Sequence, residues 1–128
     1  MNFKKLTVLA VLLILSAIIF GAFGAHGLKA HLSPEKMDSL KTAIDYQLFH
    51  GLAILVLSLS SLKEDIIKVP SLLLVIGTGL FSGSIYLLSL KGLLGIEPPF
   101  VWALTPIGGT VLIFAWGLFI IKIAKSKA

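Results

Sequence analysis

The sequence predicts an all-α membrane protein, a four-transmembrane-helix bundle with its N-terminus and C-terminus both cytoplasmic. Three observations predict it. Hydrophobic residues make up 57% of the 128 and charged residues only 13%, about half of what a soluble surface carries. The mean hydropathy is +1.03. The charges also cluster, so that four stretches, residues 6–25, 46–62, 69–90 and 98–121, carry none. At about 1.5 Å per residue, about 20 helical residues cross the roughly 30 Å hydrocarbon core. In lipid only helices and closed barrels satisfy their own backbone groups, and barrel strands would alternate over about ten residues. The single domain spanning residues 1–128 is therefore read as helices over 6–25, 34–61, 70–90 and 99–121.

The first segment follows Lys4 and Lys5 and ends at Ala22-Phe23-Gly24, which looks somewhat like a signal-peptide cleavage site. Its apolar run exceeds the 7–15 residues of a signal core, so a retained helix is the expectation. Ala10, Ala17, Gly21 and Gly24 share one stripe of it.

The second segment opens at Ser33-Pro34, an N-cap followed by proline at the first helical position. Reaching to residue 61, it would be about 42 Å long. Its first two turns, with Glu35, Lys36, Asp38 and Lys41, should project from the outer face or lie along it. At 100° per residue, Leu48, Leu52, Leu55 and Leu59 form a lipid-facing stripe. Ala43, Tyr46, Gln47, His50, Ala53 and Ser61 lie opposite, toward protein, because unpaired polar groups are costly in hydrocarbon. Asp45 should pair with Lys41 at the boundary.

Pro70 should open the third helix and Lys91-Gly92 end it. Gly79, Ser82, Gly83, Tyr86 and Ser89 share a face, and Gly79-xxx-Gly83 is a small-xxx-small pattern that lets backbones approach. Pro98-Pro99 should open the fourth helix, with Phe100 and Trp102 in the outer aromatic belt. Pro106 should free a carbonyl near Trp102 and kink the helix. Thr105, Gly108, Gly109 and Trp116 make its seam.

Orientation follows from lysine. The N-terminus, second loop and C-terminus hold Lys4, Lys5, Lys63, Lys68, Lys122, Lys125 and Lys127; the other two loops hold Lys29, Lys36, Lys41 and Lys91. Seven against four places the termini inside. The net charge of +5 is thus topogenic, and no soluble basic domain exists to bind nucleic acid. With no cysteine, disulfides and thiolate metal sites are excluded.

His50 draws attention, because an ionisable group within a span is a functional hypothesis by default. Tyr46 at i−4 and Gln47 at i−3 could join it in one hydrogen-bonded cluster, with Tyr86 from the third helix. The competing reading is a neutral histidine that bonds across helices and fixes packing. His26 and His31 lie in the outer first loop, and their spacing matches no metal motif. A metal site would require His26 to fold back toward Asp45 or His50. No nucleophile–base–carboxylate set, phosphate loop or dinucleotide turn is present, and the helical serines can bond their own carbonyls. No enzyme activity, cofactor or metal is expected.

Four strings carry a resemblance. They are Gly21-Ala22-Phe23-Gly24-Ala25-His26-Gly27-Leu28, Tyr46-Gln47-Leu48-Phe49-His50-Gly51-Leu52-Ala53, Gly83-Ser84-Ile85-Tyr86 and Thr105-Pro106-Ile107-Gly108-Gly109. Together they resemble the domain-of-unknown-function 423 family of small bacterial inner-membrane proteins, itself similar to eukaryotic transmembrane protein 256. A common variant in that family has alanine where this chain has Gly51. The resemblance implies a four-helix, multi-pass protein of the bacterial inner membrane and no particular activity. It focuses any site on His26, Tyr46, Gln47, His50, Tyr86 and Thr105 in the outer half, with Gly24 and Pro106 in the same strings. Gly21, Gly24, Gly79, Gly83, Gly108 and Gly109 are the expected packing positions.

The favoured function is a non-enzymatic scaffold, sensor or lipid-binding module, with the bilayer as its partner. The alternative is a homo-oligomeric transporter or channel whose path runs between copies along the glycine seams. An enzyme acting on lipids or quinones, with His26 or His50 as base, is the weakest reading.

Overall fold

The computed structural model describes residues 2–127, without the side chain of Ala25. Among these described residues, four helical spans are long and apolar enough to cross a membrane. The first is a rod built from α1 (Phe3–Ile19), a π-helical turn (Phe20–Gly24) and a short α2 (Ala25–Leu28). The others are α3 (Pro34–Leu59), α4 (Glu64–Leu94) and α5 (Val101–Lys125).

The ends follow the capping chemistry, with four corrections. Asn2 Oδ1 accepts from Lys5 N at 3.3 Å and caps α1. Ser33 Oγ caps α3 in the same way, with Pro34 at the first helical position. The first rod does not stop near residue 25. Its π-helical turn carries both Gly21 and Gly24, and the helix resumes to Leu28. The third span starts at Glu64, six residues before the expected Pro70, and Pro70 lies inside it. Glu64 and Asp65 suit the positive end of the helix dipole, and Lys122 Nζ donates to the Asp65 carbonyl at 2.7 Å. The span also runs past Lys91-Gly92 to Leu94. Gly95, at φ 65°, takes the left-handed cap and donates to the Lys91 carbonyl. Either glycine could end a helix; the ion pair of Lys91 with Glu97 at 3.1 Å accompanies the later choice. Pro98 and Pro99 precede α5 instead of opening it, and Phe100 enters it with φ 62°.

Each span packs on its neighbours in the chain: α1 on α3, α3 on α4, and α4 on α5. Among the described residues, α3 and α5 bring no Cα atoms within 8 Å of each other, and neither do α1 and α5. The bundle is therefore open, with a lateral cleft between α3 and α5 floored by α4. Its packed centre combines Ile54, Ile67 and Leu74 with small residues such as Ala10, Ala43 and Ala115. Its outside is apolar: Phe23, Phe49, Leu59, Ile113 and Phe114 are each at least 63% exposed. A water-soluble monomer does not show such a surface; hydrocarbon surrounds it.

Close backbone approach falls at Gly108, one of the expected positions, and at Gly77 and Gly51, which were not among them. A Cβ on Gly108 would strike the backbone nitrogen of Phe81, and one on Gly77 would meet the Leu112 side chain at 2.8 Å. Gly51 faces Ile14 and Leu13 across the α1–α3 contact. Nothing lies within 4 Å of a Cβ on Gly79 or Gly83, so these two do not make the α4–α5 approach. Small residues allow contact only where the register presents them, and the α4 face buried on α5 includes Leu74 and Gly77. Gly21 and Gly109 meet only side chains, at 3.7 Å, and the nearest atom to Gly24 belongs to Leu28 in its own rod.

Candidate functional site

The expected cluster divides into two. Gln47 points toward α1 and α4. Its Nε2 donates to the Leu13 carbonyl at 2.9 Å and to Ser16 Oγ at 2.6 Å, while its Oε1 accepts from the Tyr86 hydroxyl at 2.6 Å. Gln47 is 5% exposed, so one buried amide ties three spans with all its strong bonds made. The Tyr86 ring also lies 5.2 Å from that of Phe20, the first residue of the π-helical turn.

Tyr46 and His50 belong to the other side of α3, on the cleft. Trp116 Nε1 donates to His50 Nε2 at 3.2 Å, which makes that nitrogen the acceptor. The hydrogen therefore sits on Nδ1, which donates to the Tyr46 carbonyl at 2.8 Å. His50 is held as a neutral tautomer with both ring nitrogens engaged. Tyr46 stacks on Phe81 with centroids 4.3 Å apart. These rings line a groove of about 780 Å³ with Phe49, Ile113 and Ile120.

The split has a geometric cause. Tyr46 and His50 are 40° apart around the helix, whereas Gln47 stands 60° from His50 on the far side. His50 lies 16 residues after Pro34 and 9 before Leu59, about one turn past the middle of its helix. His26 is exposed at the end of the first rod and joins neither group. Among the described residues, no three metal-ligating side chains converge.

Thr105 belongs to a third place. It bonds Ser84 across α4–α5 at 2.6 Å and lines a polar cavity of about 560 Å³ at the end of the cleft where α3 begins. Lys36, Glu35, Thr42 and Trp102 line the same cavity. The Trp116–His50 bond, Phe81 and Lys36 were not legible as site residues. Trp116 is level with His50 only because α3 and α5 run parallel and both residues stand near the sixteenth position of their helices.

The fold and its apolar exterior define a multi-pass integral membrane protein. Residues 20–109 match the family described as "Protein of unknown function (DUF423)". The chain is 35% identical over 123 residues to a UPF0382 membrane protein of Staphylococcus haemolyticus, covering 95% of this chain and 97% of that one. It is 36% identical over 112 residues to a UPF0382 membrane protein of Haemophilus influenzae, covering 87% and 86%. It is 36% identical over 113 residues to UPF0382 inner membrane protein YgdD of Escherichia coli K12, covering 86% and 82%. No solved structure matches it. The chain belongs to the DUF423 family of uncharacterised membrane proteins, and its place is the bacterial cytoplasmic membrane.

Proposed function

We propose that this protein is a non-enzymatic lipid-binding module that holds a hydrocarbon chain in the lateral cleft between α3 and α5. The observation that carries this reading is the groove of about 780 Å³, lined by Tyr46, Phe49, Phe81 and Trp116 around one engaged histidine. Ligand sites are usually apolar hollows with a few placed polar groups. This one opens sideways, where the neighbouring molecules are lipids. His50 fits poorly as a base, because accepting a proton would cost it the bond from Trp116.

Gly117→Phe tests the reading. Nothing lies within 4 Å of a Cβ on Gly117, which lines the groove, so the new ring enters the groove without striking backbone. Protein purified in mild detergent should carry less bound lipid by native mass spectrometry, with its unfolding temperature unchanged. Equal lipid retention would count against the reading.

The competing reading is a homo-oligomeric transporter or channel with both termini cytoplasmic. It draws on the open face at Gly79 and Gly83, where a second copy could approach. Ion or proton flux in liposomes above that of empty ones would favour it.

A further inference from the structure

We infer that the occupant of the cleft is a single phospholipid of the outer leaflet with a zwitterionic, ammonium-bearing headgroup, of the phosphatidylethanolamine class. The inference rests on the lipid-binding reading above and specifies its ligand. Three features carry it.

The polar cavity and the apolar groove are successive parts of one cleft. Thr42 lines the cavity and Tyr46 the groove, one turn apart on α3. Ile85 and Phe81 repeat that relation on α4, and Thr105 and Gly109 repeat it on α5. All three helices thus pass from the cavity to the groove at the same level, with the lining changing from Thr42 to Tyr46 on α3 and from Thr105 to Gly109 on α5. Trp102, 68% exposed on the rim of the cavity, suits headgroup depth.

The length fits one leaflet. Lys36 and His50 are 14 residues apart on α3, about 21 Å along the axis. Half of the core plus one headgroup layer is about 20–22 Å. A lipid with its head beside Lys36 therefore ends its tail near the His50–Trp116 pair.

The charge fits a zwitterion. Lys36 and Glu35 both line the cavity, and neither is ion-paired among the described residues. Lys36 alone would suit any anion. Glu35 beside it opposes a net negative head and offers an acceptor to an ammonium group, while Lys36 takes the phosphate.

Bromine quenching of tryptophan tests this. The chain has two tryptophans, so Trp102→Phe leaves Trp116 as the reporter inside the groove. The protein is reconstituted in phosphatidylcholine vesicles carrying a minor fraction of phosphatidylethanolamine or phosphatidylglycerol, brominated in the distal half of one acyl chain. The ethanolamine lipid should compete for the groove about fivefold better than the glycerol lipid. In the same background, Glu35→Gln should remove most of that preference, while Lys36→Ala should weaken quenching by both lipids alike and leave the preference in place. Equal quenching by the two lipids, a preference for phosphatidylglycerol, or a preference that survives Glu35→Gln overturns the headgroup assignment while the groove reading stands. No quenching of Trp116 by either lipid overturns both.

Discussion

Trp116 Nε1 lies 3.2 Å from His50 Nε2, joining two helices whose backbones stay more than 8 Å apart. It is a side-chain strut across an open cleft, and the neutral tautomer of His50 depends on it. Trp116→Phe removes the donor and keeps the ring. We expect a loss of about 0.6 kcal/mol, the average for interhelical hydrogen bonds in membranes. A double-mutant cycle with His50→Phe, measured by unfolding in mild detergent, should show the two changes coupled. Strict additivity would mean that the strut carries no energy.

Gln47 should matter more than either of its neighbours. Tyr86→Phe deletes one bond and should cost about 1 kcal/mol. Gln47→Leu leaves the Tyr86 hydroxyl without its acceptor and removes both donations to α1. It should cost about 2–3 kcal/mol, read as a drop in unfolding temperature. A smaller effect than that of Tyr86→Phe would show that the amide is not the tie between the spans.

The glycines give a contrast within one helix pair. Gly108→Ala forces a methyl against the backbone of Phe81 and Leu80, so α4 and α5 must separate. Overpacking of this kind costs about 1–3 kcal/mol. Gly79→Ala and Gly83→Ala enter open space and should change stability by less than about 0.5 kcal/mol. Comparing the three unfolding temperatures in detergent checks both halves. If Gly79→Ala or Gly83→Ala is costly in the membrane and harmless in a detergent monomer, that face meets a second copy.

Topology is accessible because the chain has no cysteine of its own. Ser33→Cys should react with a membrane-impermeant maleimide added outside intact cells. Lys127→Cys should react only after the membrane is opened. The reverse pattern would place the polar cavity at Thr105 and Lys36 on the cytoplasmic side and reject the outer-leaflet assignment.

The sequence by itself determined the environment and the number of spans. Uncharged runs of this length admit only helices in lipid, and even the Lys41–Asp45 pair, at 2.8 Å, was readable from i,i+4 spacing. It also marked Tyr46, Gln47, His50, Tyr86 and Thr105. The tertiary structure alone decided their grouping. Rotation about α3 sends Gln47 to α1 and α4 and sends His50 to the cleft, and periodicity cannot say which neighbour each side meets. Gly108 was marked as well, but that its partner helix meets it near Gly77 and not at Gly79 or Gly83 depended on the vertical register of α4 against α5, to which a spacing rule within one helix is blind. Trp116 found His50 for the same reason: a contact 66 residues away is set by how two helices are aligned, and lipid imposes no such alignment on its own.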